Sequence, residues 1–208
     1  MRRLFVYIAA TLTMLLLFSA TAAASTVIKL DLPQLVAHSD AIVVAQVQDT
    51  ESKLESDGRV YTTITFSTRD IVKGEVGATF SIRQIGGVDG DIATRVPGMP
   101  DFRDHEKVFL FLTNFEENPV ITGLSQGKFR VALGPDNQTE FVVPEAHQMH
   151  LIEGRTNPRP SPEPSPVESA IPELTIQDHT ALFEQVHEFS TFRDQVEKVI
   201  DAQREVSQ

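Results

Sequence analysis

The 208 residues carry 18 basic against 29 acidic side chains, a formal net charge of −11, with no cysteine and no tryptophan. Such a chain, lacking any basic cluster interleaved with aromatics, repels phosphate backbones and anionic lipid surfaces, so nucleic acid is excluded as a natural partner. Without cysteine there are no disulfides, thiol nucleophiles or thiolate metal sites, and stability must come from a core of ordinary size.

The first 24 residues read as a cleavable secretory leader. Arg2 and Arg3 form a positive start, Leu4 to Phe18 an apolar run broken by Thr11 and Thr13, and Ala22-Ala23-Ala24 a small-residue cleavage pattern before Ser25. The run is shorter than the roughly 20 apolar residues that span a bilayer. A secreted or periplasmic protein is therefore expected, with no membrane insertion once the leader is removed. Cleavage takes away two arginines and no acid, leaving a still more acidic chain.

After the leader, Asp31 is placed to cap a short helix with Pro33 in its first turn. Strands follow. Ala41–Gln48 is β-branched and apolar on both faces, Glu51 to Gly58 reads as a polar turn, and Val60–Val72 is long and Thr-rich. In that strand Val60, Ile64, Phe66 and Val72 are expected on one face. Thr79–Ile85 alternates, with Phe80 and Ile82 inward. Lys107–Thr113 is apolar on both faces, as a doubly covered strand should be. Val120–Leu124, Lys128–Leu133 and Thr139–Val143 are short strands between turn residues. This spacing, without intervening helices, predicts a mainly β fold, an OB-like small barrel of five to seven strands over residues 25–154.

At Arg155 the composition changes. Pro158, Pro160, Pro162, Pro164 and Pro166 alternate with polar residues, so 155–174 reads as an extended linker, either a stiff spacer or a docking motif for a proline-recognising module. Residues 175–208 then turn helical in period. Leu182, Phe183, Val186, Phe189, Phe192, Val196, Val199 and Ile200 form one apolar stripe on a helix from about Asp178 to Arg204. A stripe so rich in phenylalanine must be buried, on the β-domain or on a partner, and the β-domain, over Lys107–Thr113, is the expected surface. Phe189 and Phe192 are candidate binding residues if the helix serves a partner.

Candidate chemistry is sparse. His147 and His150 share an i,i+3 spacing beside Glu145, which a metal could use; surface histidines near a domain end have the same pattern. Asp89-Gly90-Asp91 lacks the further ligands of a calcium loop and reads as a turn. The chain has no Gly-x-Ser-x-Gly elbow, phosphate-binding glycine loop or His-Glu-x-x-His, and no cofactor is implied. The stretch from Gly86 to Glu106 is long for a loop in a small domain, and such loops are often functional. Its Val96-Pro97-Gly98-Met99-Pro100-Asp101-Phe102 run either presents Met99 and Phe102 to a partner or lays Phe102 as a plug on the barrel end.

Leu35-Val36-Ala37-His38-Ser39-Asp40-Ala41-Ile42-Val43-Val44, Tyr61-Thr62, Val72-Lys73-Gly74, Gly86-Gly87, Val96-Pro97-Gly98-Met99-Pro100, Glu106 to Leu112 and Gln126-Gly127-Lys128-Phe129 together resemble a group of secreted bacterial proteins of unknown function. The likeness covers about residues 27–132. In its order of elements the chain also resembles the OB-like barrel of the TIMP/netrin-like superfamily. Metalloproteinase inhibitors of that superfamily chelate zinc through an N-terminal cysteine, which this chain lacks, so their mechanism does not transfer. The sequence thus points to an exported, non-enzymatic binding or structural module with an unknown protein partner. The alternative is a metal-dependent enzyme or hydrolase accessory protein built on His147 and His150.

Overall fold

Asp31 accepts from the backbone N–H of Gln34 at 2.8 Å, and the Gln34 side chain accepts in return from Asp31 N at 2.9 Å. This reciprocal cap starts helix α1, Leu32–Ala37, as its sequence anticipates. In a computed structural model the described residues are 27–114, 118–145, 151–152 and 186–206. The leader at 1–24, His147, His150, the linker at 155–174 and the stripe residues Leu182 and Phe183 lie outside them.

The strands are β1 (Val27–Ile28), β2 (Ala41–Leu54), β3 (Val60–Lys73), β4 (Thr79–Ile85), β5 (Gly87–Asp89), β6 (Ile92–Thr94), β7 (Lys107–Thr113), β8 (Val120–Ile121), β9 (Lys128–Leu133), β10 (Glu140–Pro144), β11 (Leu151–Ile152) and β12 (His187–Glu188). A 3-10 turn, Leu124–Gly127, precedes β9, and helix α2 runs over Phe189–Val206. The main sheet is antiparallel in the order β12-β10-β9-β7-β2-β3-β4, with β8 also on β7. β1 pairs in parallel with β11, and β5 with β6 forms a separate hairpin.

The fold is mainly β with both expected helices, but the sheet is not closed into a barrel. One end is β4. The other is β12, two residues long and continuing directly into α2, so it offers β4 no ladder to pair with.

Alternation in the central strands builds two cores, one on each face. Ile42 and Val44 of β2 with Phe109 and Phe111 of β7 face the helices, beside Leu32, Leu35 and Val36 of α1 and Phe192, Val196, Val199 and Ile200 of α2. Val43, Ala45 and Val47 with Val108, Leu110 and Leu112 face the other way, against Ile64, Phe66, Ile82 and Phe102. β7 is thus the doubly covered strand its composition implied. Phe192 is fully buried, its ring 5.1 Å from Phe109 and 4.9 Å from Phe129, so the tail docks on its own sheet. Gln203 Nε2 donates to Pro33 O at 2.9 Å, and Arg193 pairs with Asp70, fixing α2 to α1 and to β3.

Three local readings change. His187 and Glu188 pair with Val142 and Phe141 as a strand, which takes Val186 off the helical stripe and leaves it exposed. Residues 51–54 belong to β2, because their side chains pair across with Tyr61 to Thr63 and their neighbours, and the turn shrinks to Glu55–Arg59. Val72 packs in the helix-side core, opposite to Ile64 and Phe66. The register of β2 on β3 skips a residue at Arg69, between the pairs Ala45↔Thr68 and Val44↔Asp70, and an odd residue flips every later side chain to the other face.

The β9–β10 turn is held by Asp136, which accepts from Gln138 N, Thr139 N and Thr139 Oγ1 at 3.1, 3.0 and 2.5 Å. These donors hold its carboxyl down at about 2. A depressed folded value stabilises above the ordinary carboxylate range and fades as pH falls through about 2. NMR titration should find Asp136 ionised to that pH, and Asp136→Asn should remove this part of the acid response. For the docked tail, Phe192→Ala should cost about 3–5 kcal/mol in urea denaturation. An unchanged midpoint would mean that α2 contributes nothing to the fold.

Candidate functional site

A cleft of about 680 Å³ opens on the face of the sheet away from the helices. Its lining comes from β2, β3 and β4 at one end of the sheet and from Arg130, Val143, Pro144 and Glu145 of β9, β10 and the residue after it. From β4 to β10 is five strand spacings, about 24 Å in a flat sheet, so one cleft touching both requires the open sheet to curl. The segment 94–103 crosses the concave side as a strap.

Lys128 fastens that strap. At the start of β9 its side chain is fully buried, and Nζ donates to Glu106 Oε2 at 3.0 Å, to Glu145 Oε2 at 2.9 Å and to the carbonyl of Asp101. The ammonium also sits 4.4 Å over the Phe102 ring, which stacks edge-on to Phe66 at 5.3 Å. Burying an ammonium costs several kcal/mol, and here two carboxylates, a carbonyl and a ring face offset it. From the other side Gln84 Nε2 of β4 donates to Pro100 O at 2.8 Å. Two adjacent strap carbonyls, 100 and 101, are thus held by β4 at one edge of the sheet and by β9 across it.

The floor is made of small polar residues where the apolar alternation of β2–β4 runs out. Ser52 and Thr62 share a hydrogen bond of 2.8 Å, and Thr62 donates to Gly86 O at 2.6 Å. A Cβ on Gly87 would lie 2.4 Å from Thr62 Oγ1 and 2.6 Å from Ser52 Oγ, so only glycine fits where the chain passes from β4 into the β5–β6 hairpin. Gly123 and Leu124 both take the left-handed conformation, φ 66° and 61°, and together they aim the next residue, Ser125, at the cleft. Leucine bears that strain at a cost of order 1–3 kcal/mol. Ser125 N donates to Gly98 O at 3.0 Å, tying this turn to the strap.

Among the described residues, the buried side-chain atoms without a hydrogen-bond partner are Thr50 Oγ1, Gln84 Oε1, Ser125 Oγ and His187 Nε2. All but the last line this one cleft. Orphaned polar atoms cost about 1–3 kcal/mol each, and three of these four gather in the cleft.

Of the residues singled out in the sequence, Met99 and Phe102 both line the cleft half-buried, and Phe102 also packs against the core beneath it. Phe192 is fully buried in docking α2, and Phe189 packs half-buried beside it, 6.2 Å from Phe109. Asp89 accepts from Leu54 N at 2.8 Å within the β5–β6 hairpin, the turn its sequence suggested. His147 and His150 lie outside the described residues, and among those described no group of three or more His, Asp or Glu could hold a metal. Sequence reasoning missed Thr50, Gln84, Ser125, Arg130 and Lys128. Lys128 stands in the quoted run Gln126-Gly127-Lys128-Phe129, and its place directly before the buried Phe129 is the sequence signal for it.

Breaking the buried ion cluster should be costly. Lys128→Met should lose about 3–5 kcal/mol in urea denaturation, because Glu106 is left charged and buried. Adding Glu106→Leu should restore part of the loss, whereas equal stability of Lys128→Met and wild type would remove Lys128 from the strap's support. Among the described residues no helix is long and apolar enough to cross a membrane. Compared with known proteins, the chain matches no family model, no curated protein and no solved structure.

Proposed function

We propose that this chain is an exported, non-enzymatic binding module of the cell envelope or extracellular space, and that the strapped cleft is its binding site. The observation that carries the reading is the convergence of the unpartnered oxygens of Thr50, Gln84 and Ser125 in one cleft of a size that takes a small ligand. Support also comes from rigidity. The strap is fastened by Lys128 and Gln84 before any ligand arrives, so little ordering cost is left for binding. The leader-like start, the acidic charge and the resemblance to secreted bacterial proteins support a location outside the cytoplasm.

The test is a thermal-shift screen of the full chain against small sugars, organic acids, amino acids and amines. At least one class should raise the melting temperature of the wild type and fail to raise that of Thr50→Val/Ser125→Ala. That variant, relieved of two orphaned hydroxyls, should itself melt a few degrees higher than wild type without ligand, as binding sites trade stability for function. No response from any class, with the variant no more stable, would contradict a binding role for the cleft.

A further inference from the structure

We infer that the cleft takes an organic anion that also carries hydroxyl donors, a polyhydroxy carboxylate of the size of a uronic acid. The inference rests on the cleft being a binding site and names what it selects. Arg95, Arg103 and Arg130 all line the cleft, and none has an ion-pair partner among the described residues. Elsewhere Arg83 meets Glu55, Arg193 meets Asp70 and Glu197, and Arg204 meets Asp201, while Arg59 and Arg69 have no ion pair among the described residues. In a chain with 29 acids and a net charge of −11, three guanidinium groups without an ion pair line one opening. The lining acids are Asp101 and Glu145, and Glu145 is already engaged by Lys128, so cationic donors outnumber the acids that could neutralise them. A planar guanidinium binds a carboxylate through paired N–H donors, and a recessed site strengthens that contact.

The floor asks for the opposite polarity. Gln84 gives its amide N–H to a carbonyl, Pro100 O, which fixes the orientation of the side chain and leaves Oε1 as a pure acceptor. Thr50 and Ser125 hydroxyls serve as donor or acceptor, and Ser125 is only 4% exposed. A ligand that completes the cleft must therefore give hydroxyl hydrogens to the floor and a carboxylate to the rim. Glucose offers the first alone, and inorganic phosphate chiefly the second.

The experiment is calorimetric titration of the full chain with glucuronate, glucose and inorganic phosphate, at low and high salt. Glucuronate should bind at least about tenfold more tightly than either of the others, and its affinity should fall as salt rises. Arg130→Gln and, separately, the more exposed Arg103→Gln should each weaken glucuronate by about tenfold with the melting temperature unchanged. Thr50→Val/Ser125→Ala should reduce the preference for glucuronate over phosphate. Equal binding of glucose and glucuronate, insensitive to both arginine variants, would overturn the anion assignment and leave the cleft a site for neutral ligands. Equal binding of phosphate would overturn the requirement for donors. If none of the three binds while another class from the screen stabilises the protein through Thr50 and Ser125, the selectivity falls and the binding site stands; if no compound binds at all, both fall.

Discussion

A single buried ammonium organises the half of the molecule that bears the cleft. Lys128 has no exposed surface and lies at the meeting point of Glu106, Glu145, the Asp101 carbonyl and the Phe102 ring. Those groups come from three irregular segments: the strap, the approach to β7 and the residue after β10. A charge that cannot leave the protein interior without losing its partners enforces their convergence, which apolar packing, being indifferent to direction, does not. The strap then has a fixed height over the sheet, and the space beneath it is the cleft.

This explains how an open sheet can hold a cavity that usually calls for a barrel. Closure would satisfy the edge of β4 through backbone pairing. Here the edge is approached instead by the strap, through Gln84 and Pro100, while α2 fills the opposite face with Phe192, Val196, Val199 and Ile200. The bulges at Arg69 and Val72 in β3 let one long strand serve both layers, Ile64 and Phe66 to the cleft side and Val72 to the helices. The open end of the curl is where polar side chains replace apolar ones, so the site lies at the margin of the core.

Much of the architecture was legible in the residues, and the reasons are local. Asp31 and Gln34 cap α1 within four residues, and the continuous apolar run of β7 has no other stable environment than the middle of a covered sheet. Several motif residues quoted for the family likeness are joints: Ser39 bonds Leu35 O and Thr122 Oγ1, and Lys73 Nζ donates to Val36 O and Ser39 O at the end of α1. Gly74 could not carry a Cβ, which would lie 2.5 Å from Asp40 O. Gln126 holds the N-terminal segment through Leu30 N and Ile28 O. The main sheet has eight strands where five to seven are expected, and it is open, because strand spacing does not determine whether the first and last strands meet. The cleft was illegible for a related reason. Thr50, Gln84 and Ser125 come from separate elements and look like ordinary surface residues until the curl brings them together, and only the length of the 86–106 stretch marked the region.

The central claim, that the Lys128 cluster and not general packing holds the strap, is tested most directly by native-state hydrogen exchange. The amides to follow are Ser125, bonded to Gly98 O, Glu106, bonded to Arg103 O, and Val47, bonded to Glu106 O. In Lys128→Met these should lose protection by opening locally, well below the global unfolding free energy, while amides of β2 and β7 next to α2 keep theirs. Protection of the strap amides that falls only in step with global stability, or does not fall, would contradict a local role for the buried ammonium.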